Sequence, residues 1–377
     1  MSRTLPPLLA ALLLASCSGN RPAPKPPLFS LSPSWKTLLG EFVVAPLAAD
    51  ASHVYVATRD GAVRALDPAT GAVVWKAADL PGRLSATDDV LLLRGEDGAL
   101  LRLQPETGGL RWKTETGVAG LMPAVIDGDR AFVAGKGLAA VELASGRILW
   151  KDTTGAPTTA PPVSSGSRLY SGDEDGTLRC RDRAVGLTLW TLRTGGPLAA
   201  PPLVDERRRR LYLGTTDKRI LEVSTDKGKK GWTWRVGADI LYPGLLLPDR
   251  VVFGSLDAVL YVLGRGGSLD WRGPLPSRPL AAPLPVGDHL LVACLEDQIV
   301  GFARDTGKKS GQLRTSAEIR TPPILAGGLV VLGLRDRSVI AYAPPGSAAP
   351  AAPAQEPKTP PEAEPKAPPV VPPGAAR

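Results

Sequence analysis

Three cysteines, two histidines and a formal net charge of +8 are where chemistry could reside in this chain of 377 residues. Cys17 ends the run Leu14-Ala15-Ser16-Cys17, after an apolar stretch over residues 5–15 with Arg3 before it. A positive start, a short apolar core and small residues at the exit describe a secretory signal too short to span a membrane. Cys180 and Cys294 are not adjacent to each other or to any other thiol. Both fall in β-type runs at small-residue positions, so they read as buried, inert thiols. His53 and His289 each precede a β-type run at an equivalent place, which reads as a turn feature. No histidine-rich metal cluster, nucleophile motif or phosphate loop is present. The residues therefore point away from catalysis and from any resident cofactor or metal.

The basic surplus is uneven. Arg207, Arg208, Arg209 and Arg210 form one run, and Lys227, Lys229 and Lys230 follow it closely. Such a run is either a solvated turn or an electrostatic dock for an acidic partner or an anionic envelope surface. Which of the two applies depends on the elements that carry these residues.

Those elements are set by a repeat. Tryptophan recurs at Trp35, Trp75, Trp112, Trp150, Trp190, Trp232 and Trp271. An Asp-led turn keeps the same beat at Asp60, Asp97, Asp175, Asp217, Asp257, Asp297 and Asp336, and Lys136-Gly137 fills the gap. A period of roughly 40 residues points to blades of a β-propeller. In one unit, residues 54–58 are β-branched and aromatic, which suits a pleated surface. Asp60-Gly61 supplies a tight hairpin, residues 63–66 return, Pro68 and Gly71 make a second turn, and residues 73–75 lead out. Residues 43–48 are expected to supply the first strand. A turn glycine stands four places before each later Trp position, from Gly71 to Gly307, and only Gly311 has lost the indole. At one per blade, the tryptophans read as inter-blade packing rather than a stacking platform for a cofactor or a sugar.

Each marker occurs eight times when Trp35 and Gly311 are included, but the two series are offset. Trp35 has no hairpin before it, and the hairpin at Asp336 has no Trp strand after it. The expectation is an all-β fold, an eight-bladed β-propeller of four-stranded antiparallel blades, with the ring closed by the N-terminal strand. The other reading is seven blades with frayed ends. Cys180 and Cys294 then fall in blades 4 and 7, too far apart for a disulfide. Cys180 aligns with Ala65 and Cys294 with Ala57. The division is residues 1–16 signal, 17–30 Pro-rich tether, 31–343 propeller and 344–377 a Pro/Ala-rich tail. The tail lacks hydrophobic periodicity and reads as disordered, a spacer or a ligand for another domain.

The recurring run of Asp-Gly, apolar strand, Leu-Asp, Thr-Gly and Trp resembles the repeats of the quinoprotein dehydrogenase (PQQ-like) superfamily over about residues 35–343. The Leu-Ala-Ser-Cys ending resembles a bacterial lipobox, which implies lipid attachment at Cys17; a plain signal peptide containing Cys is the other reading. By the lipoprotein sorting pattern, Ser18 implies the outer membrane. Size and lipidation look most like the BamB family, the lipoprotein propellers of the outer-membrane β-barrel assembly machinery. That resemblance implies a non-catalytic periplasmic scaffold whose partners are envelope proteins of that machinery, without nucleic acid. The alternatives are a propeller binding another envelope protein or a polysaccharide, and a quinone-dependent dehydrogenase. The superfamily's enzymes carry an adjacent cysteine pair, calcium ligands and an Asp base, and this chain lacks the cysteine pair. The family's partner-contacting loops resemble Leu-Ser-Leu-Arg and closely spaced Asp residues. Here the matching stretches are 195–201, Gly-Gly-Pro-Leu-Ala-Ala-Pro, and 239–243, Asp-Ile-Leu-Tyr-Pro. Neither fits, so no partner-binding residue carries over.

In a four-stranded meander the first and third turns share one end. The arginine run falls in the first turn of blade 5 and the lysines in its third. They are expected on one face of the disc, with Lys308 and Lys309 on that face two blades on.

Overall fold

The computed structural model describes residues 31–345. They form eight four-stranded antiparallel sheets, and no helix occurs among the described residues. Blade 1 runs Ala48–Ala49, Val54–Ala57, Val63–Leu66 and Val73–Ala77. First strands touch the first strands of neighbouring blades, so they ring the axis and fourth strands form the rim. The second and third strands of blade 1 are buried at every position, because both faces of each blade pack against a neighbour. The rim strands alternate instead. From Leu189 on, Thr188–Arg193 exposes every second side chain and turns Trp190 and Leu192 inward. One packed face and one wet face give that period of two.

The ring closes as the marker offset predicts. Ser32–Leu38 pairs antiparallel with Ser338–Ala343, from Ser32 opposite Ala343 to Leu38 opposite Ser338. A bulge separates Pro33 from Trp35, where proline has no N–H to offer the ladder. One apolar cluster then spans the junction, joining Trp35, Leu39 and Val43 to Val54, Val56 and Leu66 of blade 1 and to Val331 and Val339 of blade 8. The other inter-blade cores follow suit, with Tyr55 and Ala65 packed against Leu84, Leu91 and Leu103 of blade 2.

Six tryptophans each lock one blade to the next. Their indole N–H groups donate to a third-turn carbonyl of the following blade: Trp35 to Pro68, Trp75 to Pro105, Trp112 to Leu143, Trp150 to Arg183, Trp190 to Thr225 and Trp232 to Arg265, at 2.8–3.1 Å. The turn glycine of that next blade lies flat against the ring. Only glycine fits there: Gly186 has φ +76, and a Cβ on it would stand 2.6 Å from the Trp150 ring. This explains why Gly311 replaces tryptophan. Blade 8 takes its rim strand from the other end of the chain, so it has no third turn on which an indole at position 311 could dock. Gly186→Ala should cost about 2 to 4 kcal/mol, from left-handed strain plus overpacking. Urea unfolding checks this, and an unchanged midpoint would contradict it.

Three details differ from the sequence reading. The first strand of blade 1 is Ala48–Ala49, not residues 43–48. Val43 makes only an isolated bridge to Thr58, and Pro46 interrupts the ladder between them. Cys294 aligns with Thr58 rather than Ala57, since Cys294 N–H bonds Gln298 O as Thr58 N–H bonds Ala62 O. Where hairpins lack glycine, residues with a Cβ take its left-handed conformation: Lys218 at φ 65°, Ala258 at 59° and Arg337 at 68°. Blade 7 departs from this, with the left-handed residue one place earlier, at Glu296 with φ 72°.

Candidate functional site

The disc offers two faces, one of first and third turns and one of second turns and inter-blade links. The basic residues of blade 5 share the first, as expected. Its first turn lies between Leu203–Asp205 and Arg210–Gly214, and its third between Arg219–Ser224 and Lys230–Arg235. The two turns touch: Thr225 N–H bonds Arg209 O at 3.1 Å, and the Arg209 guanidinium meets Asp226 at 2.6 Å. Lys308 and Lys309 lie at the third turn of blade 7, on the same face.

The run divides into two kinds of cation. Arg208 meets the buried Asp205 at 3.2 Å, and Arg265 of blade 6 meets the same carboxylate at 2.9 Å. Arg210 meets Glu222 at 2.9 Å. These arginines hold the turn together. Arg207, Lys227, Lys229 and Lys230 are exposed and make no ion pair among the described residues. Arg207 and Arg208 line a groove of about 850 Å³ between the first turns of blades 5 and 6, with Leu246, Pro248 and Arg265 opposite. The sequence could locate these residues but could not sort bracing arginines from available ones, because their acids come from other strands.

Other residues with chemical potential serve the fold. The Asp50 carboxylate accepts the N–H groups of Ser52 and His53 at 2.8 and 2.6 Å and the Tyr55 hydroxyl at 2.5 Å. It caps a turn, which is the role read for His53. Burial first, then Asp50, raises the Tyr55 hydroxyl well above the usual tyrosine range. Cys180 and Cys294 are buried free thiols, each pushed up to about 11 by desolvation. Arg94 is buried without a carboxylate. Its guanidinium donates to the carbonyls of Val118, Met122 and Ala134 at 2.7, 3.0 and 2.5 Å, and burial lowers it to about 10, so it stays charged at neutral pH. It fills the space that Leu198 and Ile240 fill at other junctions, where blade 2 has only Gly120 opposite.

The chain has no adjacent cysteine pair. No group of three or more His, Cys, Asp or Glu that could hold a metal occurs among the described residues. Cys17 lies outside the described residues. Stretches 195–201 and 239–243 are links between blades on the second-turn face, where Gly196 packs beside Gly176. On that same face ring closure gathers Phe42, Arg59, Arg320, Arg335 and Arg337, a grouping no local pattern announces.

The family described as "Outer membrane protein assembly factor BamB" matches residues 32–116, 59–150 and 135–279. No curated protein matches the chain. Among solved structures, BamB from Moraxella catarrhalis is similar at a TM-score of 0.71 and 19% identity, covering 83% of this chain and 99% of that one. The computationally designed Ika8 protein is similar at 0.70 and 16% identity, covering 82% and 99%. Saccharomyces cerevisiae Sqt1 is similar at 0.70 and 10% identity, covering 83% and 99%. At these identities the structural likenesses speak for the fold alone.

Proposed function

Since the chain belongs to the family of the outer membrane protein assembly factor BamB, we propose that it is a non-catalytic, lipid-anchored periplasmic scaffold that assists the assembly and insertion of outer-membrane β-barrel proteins. The observation that carries this reading is the family match over residues 32–279 of a chain that closes into a ring of eight blades. Such a ring is rigid, and its two faces of turns suit contact more than chemistry. Cys17 would hold the lipid and residues 17–30 the tether. Ser32 pairs with Ala343, so the described chain leaves the ring at both ends on the first-turn face. A lipid on the N-terminal side would turn that face to the membrane and leave the second-turn face to protein partners.

Affinity isolation from mildly solubilised membranes tests the reading. It expects a β-barrel assembly protein in near-stoichiometric amount. Recovery of a different envelope complex, or of polysaccharide alone, would contradict it.

Two further outcomes follow. Titration with pyrroloquinoline quinone and calcium should give no stoichiometric binding by absorbance or calorimetry, and saturable binding would make the chain a candidate enzyme. Replacing Arg207, Lys227, Lys229 and Lys230 with Gln should weaken binding to phosphatidylglycerol vesicles, each cation contributing about 1 kcal/mol near an anionic surface. The wild-type binding should fall as salt rises. Equal binding by both proteins at low salt would leave these residues as a solvated turn.

A further inference from the structure

The second-turn face carries a different cationic surface, where blades 8 and 1 meet. Phe42 lies in the link from the closing strand to blade 1. The guanidinium of Arg59, from the second turn of blade 1, stands 5.0 Å from its ring centre, and that of Arg337, from the second turn of blade 8, stands 4.8 Å from it. Arg320 and Arg335 join Phe42, Val44 and Arg59 around a cavity of about 250 Å³. All four arginines are exposed. A larger cavity of about 760 Å³ continues from Val44 and Arg59 toward blade 2, where Leu80 and Pro81 line it. Val44 is 39% exposed and Leu80 is half-buried, so the groove presents apolar side chains beside the cations.

Close to Phe42 the acids leave this charge largely uncompensated, whereas Asp79, Glu96 and Asp97 line the larger cavity toward blade 2. Lys36 holds Asp336 at 2.7 Å, and Arg64 and Lys76 hold Asp60 at 3.1 and 3.6 Å. Glu318 is taken by Arg335 at 2.6 Å. Glu41 is the remaining carboxylate of the link. Arg59, Arg320 and Arg337 make no ion pair among the described residues.

We propose that this surface docks an acidic segment of a partner protein, with carboxylates flanking an apolar side chain. The proposal rests on the scaffold reading and names the chemistry of its partner. Guanidinium groups present a planar fork that matches a carboxylate with two hydrogen bonds. Two of them already rest against the Phe42 ring, so little side-chain freedom is lost on binding. Arginine beside an aromatic ring is also the composition of an interface hot spot. Val44 and Leu80 give the apolar side chain a place to lie. A lipid headgroup fits less well, because the described chain ends leave from the opposite face. An uncharged polysaccharide would leave the cations unmatched.

The test uses the full chain in mild detergent and two fluorescent peptides. One is Asp-Leu-Glu-Phe-Asp-Leu-Glu, and the other has Asn and Gln in place of the acids. The acidic peptide should bind, and its affinity should fall as salt rises. Replacing Arg59, Arg320 and Arg337 together with Gln should weaken it by roughly tenfold or more. Arg320→Gln alone should weaken it less, and it guards against a folding defect in the triple variant. Replacing Lys227, Lys229 and Lys230 with Gln, on the opposite face, should leave it unchanged. Three results would overturn the proposal: no binding of the acidic peptide, equal binding of the amide peptide, or a triple variant that binds as the wild type does. Phosphatidylglycerol vesicles that compete with the peptide, and lose binding in the same triple variant, would assign the surface to lipid instead. If the proposal fails while a β-barrel assembly protein still co-purifies, the surface is wrong and the scaffold function stands.

Discussion

Removing residues 32–38 should open the ring and lower the unfolding temperature by on the order of 10 °C or more. The deletion takes the whole rim strand from blade 8 and exposes the backbone edge of Ser338–Ala343. It also removes Trp35, which is 6% exposed and donates its indole N–H to Pro68 O at 2.9 Å. Truncating a buried tryptophan costs about 3 to 5 kcal/mol on its own, a large share of a typical domain's stability. Trp35→Ala keeps the strand and should show most of that cost without opening the edge. Calorimetry of both variants separates strand pairing from indole docking. A deletion variant as stable as the wild type would mean that the ring does not depend on its closing strand.

Cys17→Ser should move the protein wholly from the membrane to the soluble periplasmic fraction and abolish incorporation of labelled palmitate. A lipidated cysteine that carries several acyl chains anchors firmly, whereas one chain alone binds only marginally. The tether adds little membrane affinity of its own, since residues 18–27 hold four prolines and no apolar run. Fractionation and labelling of the variant in a bacterial host read the result. Continued labelling would place the lipid elsewhere, and continued sedimentation without label would shift the weight to the basic face of blades 5 and 7.

How much of this was legible in the sequence varied with the distance over which each feature is built. The blades were legible because a Trp, a turn glycine and an Asp-led hairpin recur in most of them, and each answers a local need. Closure was legible from the offset between Trp35 and the hairpin at Asp336. The loss of indole at Gly311 was visible, but its reason was not. It needs the knowledge that blade 8 has no third turn. First strands were the least legible, as with Ala48–Ala49, because two residues in a link broken by Pro46 carry no period. The blade 5 cations were legible because they are contiguous, and their shared face followed from the meander. Their division into bracing and available groups was not, since Asp205, Glu222 and Asp226 come from three different segments. The arginines around Phe42 were not legible at all. Ring closure brings Arg337 to the link at Gly40, 297 positions away in the chain.

The most direct test of the assembly role is the rate at which a β-barrel protein inserts into liposomes that carry the purified assembly machinery. Adding this protein in lipidated form should raise that rate in a saturable way. The Cys17→Ser form should need a higher concentration to reach the same rate. An insertion rate that stays the same at saturating protein, with the ring verified as folded, would contradict the account.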